Sequence, residues 1–265
     1  MLLDKSEIEI KSSSSIIGFT TEGGGSWKVW DRYLTLEGKR AFHIGNICGT
    51  CSFFFERLEG ANQSVNAEAI IDALNKGVKK LEPSIVQALA LIVPDGKYEL
   101  LLQDVGPRLV KPGEKADYFT DEQVALWGVD GFWGMPHFPK TEYYRLQTKK
   151  MKEGRGLFEF LVPMFPHNWL ESNRLAEYET AYDNNEMPSA VSISILDVKS
   201  PADWDGEKDI TNHYCLAHYL IDGHHKVYAA AKTGKPLTLI SFLAVSQGVS
   251  SEEEIAELLG TLNEG

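Results

Sequence analysis

Apolar and polar positions alternate or cluster along this chain in a way that predicts short strands interrupted by a few helices. Ile8 to Ile10, Ile16 to Thr20 and Trp27 to Leu36 are rich in β-branched and aromatic residues and read as strands, with Gly23-Gly24-Gly25 as a turn. Ala67, Ile70, Ile71, Leu74 and Val78 fall at helical spacing behind Asn66, a residue suited to cap the first turn. Val86 to Val93 is an apolar run, and Pro94-Asp95-Gly96 turns it into Tyr98 to Gln103, the pattern of a hairpin. Thr120 or Asp121 opens a helix running through Trp127.

Further along, Leu157 to Val162 reads as a strand and Ser172 to Asn184 as a helix. Ala190 to Val198 is a strand with Val191, Ile193 and Ile195 on one face and serines between them. Another strand ends at Ile221. Asp222-Gly223 turns the chain into a helix from about His225 to Thr233, Gly234 closes it, and Leu237 to Val245 returns as an almost wholly apolar strand. The last residues form an acidic helix capped by Ser250 or Ser251, with Glu253 or Glu254 three positions on.

Composition narrows the function classes. Of 265 residues, 43% are hydrophobic and 24% charged, with 38 acidic side chains against 26 basic ones. That is the balance of a folded globular protein, and a formal net charge of −12 opposes a broad nucleic-acid surface. No apolar run reaches the length of a membrane helix, and Met1 to Lys5 shows no signal-peptide pattern, so a cytoplasmic protein is expected. The acidity is unevenly placed. Residues 1–150 hold 18 basic and 20 acidic side chains, whereas residues 151–265 hold 8 and 18. This step predicts two units, 1–150 and 151–265, joined through the charged stretch Lys149 to Gly156; a surface loop within one continuous domain is the alternative.

Two segments carry candidate chemistry. Cys48 and Cys51 have C-x-x-C spacing, and Cys215 leaves an odd count that does not resemble a disulfide framework. The pair suits one Zn²⁺ if His43, His137, His213 or Cys215 completes the shell. Plain unligated cysteines are a second reading. A redox dithiol is a third, which would place the pair at the start of a helix over Ser52 to Leu58. Val129 to Pro139, with its aromatics among glycines and prolines, reads as a packed loop or a rim over a site.

The second segment is Asp222-Gly223-His224-His225-Lys226. Free backbone N–H groups at a helix start attract anions, Gly223 permits close approach, and two imidazoles and an ammonium sit at the same point. His218, His224, His225 and Asp222 also offer donors for a metal, although their spacing matches no metal motif.

This strand, D-G-H-H-K turn, alanine-rich helix, glycine and apolar strand resemble the ParB/sulfiredoxin superfamily, most closely its free-serine-kinase-like branch. The likeness spans residues 157–245 and is specific over Leu220 to Val245. It implies a ParB/sulfiredoxin-like α+β domain there; with the N-terminal mixed α/β region and its CxxC knuckle, read from the pattern of the first half, the expected fold class is α+β. The likeness also implies a nucleotide or phosphate ligand on Gly223, His224, His225 and Lys226 with Arg174. Asp222, His224 and His225 would be the catalytic groups of an ATP- and Mg²⁺-dependent phosphotransferase acting on a small molecule, with Asp222 and Glu177 or Glu179 as Mg²⁺ ligands. Three departures qualify the likeness. His224 stands where sulfiredoxins carry their cysteine, no DNA-binding helix-turn-helix follows, and Lys226 replaces an arginine. The alternative function is a non-catalytic binding or regulatory protein, with structural zinc at Cys48 and Cys51 and an acidic face for a basic protein partner.

Overall fold

Two β-sheets dominate the molecule. The computed structural model describes residues 1–11, 15–63, 71–129, 141–202 and 209–264. Strand makes up 41% of these residues and helix 25%. The expected α+β architecture, a mixed α/β region followed by an α+β domain, is therefore corrected to a mostly β fold.

The large sheet has eight strands in the order β1 (Leu2–Ile10), β6 (Gly96–Val105), β12 (Leu237–Ala244), β10 (Ser189–Lys199), β11 (Asn212–Asp222), β9 (Arg155–Val162), β8 (Tyr143–Lys150) and β7 (Arg108–Val110). β10 runs parallel to β12 and antiparallel to β11. Strands from both sides of residue 150 enter this sheet, and Lys149 to Gly156 is the hairpin between β8 and β9. The small sheet is β2 (Ile17–Gly24), β3 (Trp27–Leu36), β4 (Lys39–Asn46) and β5 (Glu56–Arg57).

Much of the missing strand content lay in sequences that hide their period. β4 and β8 mix lysines and arginines with aromatic residues, so neither shows the clean alternation of a half-exposed strand. A second correction concerns the apolar run expected as one arm of a hairpin. Pro83–Ala90 is helix α2, with Pro83 in its first turn, where a missing N–H costs nothing. The remaining helices are α1 (Ile71–Lys76), α3 (Glu122–Trp127), α4 (Ser172–Asp183), α5 (His224–Thr233) and α6 (Glu252–Asn263). The start of the helix expected from Asn66 and the aromatic loop through Pro139, including His137, lie outside the described residues.

The central strands of the large sheet, β9 to β12, are buried on both faces. One face packs against the small sheet: Phe158 and Phe160, Ile193 and Ile195, and Tyr219 and Phe242 join Leu34, Phe42 and Ile44 in the main core. The opposite face carries two apolar patches. Leu157, Leu196, Leu216 and Leu243 lie under α6, while Leu161, Leu220, Leu237 and Leu239 lie with Val227 and Ala230 of α5. Between the patches runs a buried polar seam of Gln103, Ser241, Ser192, Ser194, His218 and Glu159. The strand rule explains it, because the serines of β10 alternate with Val191, Ile193 and Ile195 and share one face.

Candidate functional site

β11 ends at Asp222 beside Val191 of β10, and the chain must turn at once into α5. Gly223 makes that turn at φ 98°, a left-handed conformation that side chains resist. Its backbone also approaches β10, and a Cβ there would lie 2.8 Å from that of Ala190. Gly223 is the N-cap of α5, and no side chain caps the first turn. The helix closes on Gly234, again left-handed, as a C-terminal glycine should.

The turn opens on a cavity of about 240 Å³ lined by Asp222, Gly223, His224, His225 and Lys226. Arg174 of α4 reaches the same cavity. All six residues expected at the anion site thus share one space. Sequence reasoning missed the other half of the wall: Ile71, Phe165, Trp169, Glu171, Tyr178 and Ile221. The proline-bracketed aromatic stretch before α4 was the available signal, and it reads equally as a connector.

The polar groups divide into three kinds. Both imidazoles are acceptors at Nε2, His224 from the backbone N–H of Met164 and His225 from that of Glu171, each at 3.1 Å. A ring accepting at Nε2 carries its proton on Nδ1 and is neutral. Burial agrees: it pulls His224 down to about 3 and lowers His225 as well, with Arg174 adding to the second effect. His224 also stacks on Phe165, with ring centres 4.1 Å apart. The cations are Arg174 and Lys226. Lys226 is buried, donates to the carbonyl of Ser189 at 3.1 Å and sits 3.6 Å from Asp222 Oδ2. Burial lowers its pKa, and Asp222 opposes that shift. The carboxylates are Asp222 and Glu171. Asp222 Oδ2 is buried without a hydrogen-bond partner.

With neutral histidines, two cations face two carboxylates, so the cavity is balanced in charge, where the sequence, read with charged histidines beside Asp222, suggested an excess of cations. Glu179 is occupied elsewhere, taking a 2.8 Å contact from Lys232, and neither it nor Glu177 lines the cavity. α4 and α5 are held together behind the site by Tyr182, whose hydroxyl donates to the carbonyl of Lys226 at 3.1 Å.

No family model, curated protein or solved structure matches the chain. Among the described residues no helix is long and apolar enough to cross a membrane.

The cysteines lie elsewhere and in another state. Cys48 and Cys51 are bonded to each other, and in that form neither offers a thiolate to zinc. Their other expected ligands are engaged: His43 pairs with Asp31 at 2.9 Å, and His213 bonds to the Tyr118 hydroxyl at 2.8 Å. Cys215 is buried beside that hydroxyl. No group of three or more His, Cys, Asp or Glu among the described residues is placed to hold a metal. His218, counted with the turn histidines as a metal donor from sequence, belongs to the polar seam. The helix over Ser52 to Leu58 that the redox reading would need is absent; Ser52 to Phe55 is irregular and Glu56–Arg57 is β5.

Proposed function

We propose that the protein binds a Mg²⁺–nucleotide at the start of α5 and is suited to transfer its phosphoryl group to a small molecule. The observation that carries the reading is the meeting of Arg174 and Lys226 at an uncapped helix N-terminus, on a cavity also walled by Trp169 and Phe165. Free N–H groups and two cations suit phosphate oxygens, and the exposed Trp169 ring suits a base. The balanced charge argues for a phosphate that arrives with a cation. Asp222, whose Oδ2 accepts no hydrogen bond and lies 3.6 Å from Lys226 Nζ, and Glu171 would hold Mg²⁺, which is commonly bound by one or two carboxylates together with substrate phosphates. That ion would neutralise charge on the phosphates. Lys226 and Arg174 would orient the phosphates. The Nδ1–H of His225 would be a neutral donor, while His224 would act by positioning the turn.

The test is calorimetric titration and thermal shift with ATP, ADP, CTP and inorganic phosphate, with and without Mg²⁺. Stabilisation by a nucleotide that needs Mg²⁺ and falls at least tenfold in affinity in Lys226→Met is expected. Absence of stabilisation by every nucleotide refutes the reading. Nucleotide binding without ATP turnover over a panel of small hydroxyl compounds would keep the binding site and remove the transferase.

A further inference from the structure

The Cys48–Cys51 disulfide has no part in the nucleotide site. β10 spans the distance between them: Val191 lies beside Asp222 at one end, and Lys199 meets the cysteine loop at the other. Eight strand residues at about 3.3 Å each separate the two places.

We propose that Cys48 and Cys51 form a redox-active pair that exchanges with external thiols. Four observations support this. First, the crosslink joins residues three apart, and so short a ring restrains the unfolded chain little, because that effect grows with loop length. Second, the loop is held without it. Lys199 Nζ donates to the Cys48 carbonyl at 2.6 Å, the Ser200 N–H to the Gly49 carbonyl at 3.0 Å, and the Trp127 indole to the Thr50 carbonyl at 3.3 Å. Opening the bond would leave both sulfurs facing each other. Third, both cysteines are partly exposed, whereas Cys215 is enclosed and its thiol is pushed up by burial. Fourth, the Thr50 hydroxyl lies 3.5 Å from Cys48 Sγ and can donate to a thiolate there, which takes the place of the helix N-terminus that often stabilises such a thiolate.

The exchange is a two-electron transfer. An external thiolate attacks one cysteine sulfur, and the S–S electron pair departs on the other, which takes a proton from water. A second external thiolate then attacks the external sulfur of the mixed disulfide. The second protein thiolate leaves, and the two external thiols depart as a disulfide. The protein pair is reduced and the external thiols are oxidised.

The experiment equilibrates the full chain with reduced and oxidised glutathione in varied ratio, quenches by alkylation and reads the mass. A parallel arm uses a reduced protein dithiol. The expected result is reversible interconversion of the Cys48–Cys51 pair while the far-ultraviolet circular dichroism and melting temperature stay unchanged. Cys48→Ser and Cys51→Ser should each capture one glutathione per chain on the remaining partner, with Cys215 unmodified. Exchange with glutathione assigns a small-thiol partner, and exchange with the protein dithiol alone assigns a protein one. A pair that resists both reagents until the protein unfolds overturns the proposal and makes the bond structural. Loss of fold on reduction does the same, and so does stoichiometric zinc uptake by the reduced protein.

Discussion

Glu159 Oε1 accepts a hydrogen bond from His218 Nε2 at 2.8 Å, and neither side chain has exposed surface. Gln103 donates to the same oxygen at 2.9 Å and Gln147 to the other at 2.6 Å. Burial alone would push the carboxyl up; the bonds from His218 and the two glutamines outweigh it and hold the group below its usual value. On the far side of the ring, Ser194 and Ser241 hydroxyls lie 2.6 and 3.1 Å from Nδ1. One chain of polar contacts thus ties β6, β9, β10, β11 and β12 together within the buried part of the sheet.

Breaking that chain at one partner strands the other. His218→Leu should cost about 3–5 kcal/mol, since the carboxylate keeps its desolvation cost and loses its main partner. Glu159→Leu should cost about as much, and Glu159→Leu with His218→Leu clearly less than the sum. Urea unfolding of the four proteins measures the coupling; strict additivity would show that the pair acts independently.

Gly223 is irreplaceable for two separate reasons, its left-handed φ of 98° and its contact with Ala190. Gly223→Ala should lose about 1–3 kcal/mol of stability and displace the start of α5. The nucleotide binding proposed above should be lost in the same variant when titrated below its melting temperature. Gly260, which has open space at its Cβ position inside α6, is the control: Gly260→Ala should gain up to about 1 kcal/mol and leave the ligand response intact.

α6 is the lid on the Leu157, Leu196, Leu216 and Leu243 patch, and its first turn is closed by a reciprocal pair. Ser251 Oγ accepts from the Glu254 N–H at 3.2 Å, and Glu254 Oε2 accepts from the Ser251 N–H at 2.7 Å. Ser251→Ala should cost about 1 kcal/mol, and faster amide exchange should be confined to α6. Exchange that spreads to α5 would mean the two apolar patches open as one unit.

What the sequence made legible was local. The α5 turn, both its glycines, the α6 cap and the strand at Trp27–Leu36 follow from rules that act within a few residues. Long-range pairing did not follow. β6 is hydrogen-bonded to β12 across more than a hundred residues, and nothing in either segment names the other. Alternation separates the serines of β10 from Val191, Ile193 and Ile195, but it reports two faces without saying what covers either. Similarly, His224 and His225 looked like cationic donors until the amides of Met164 and Glu171 were found on their Nε2 atoms. Arg174 could be placed with the turn from the resemblance, whereas Trp169 and Glu171 came to the site only through the packing of α4 on α5.

Acid should unfold this protein through its buried histidines. His224 and His213 are each pulled down to about 3 by burial, so both are neutral in the folded state and free to protonate in the unfolded one. Their contribution is fully present above the unfolded value of about 6.5 and is lost as pH falls toward the folded value. The loss should approach about 4 kcal/mol per histidine by the time the folded group titrates. Glu159, held low, works in the same direction: its share is present above the ordinary carboxylate value and fades as pH falls through its own. Unfolding free energy measured in urea from about pH 7 to about pH 4 should therefore fall steeply. His224→Gln keeps an acceptor for the Met164 amide but cannot take up the proton, so its profile should be shallower by one histidine's share. A wild-type profile flat over that range, or a His224→Gln profile parallel to it, would show that His224 is not buried in its neutral form.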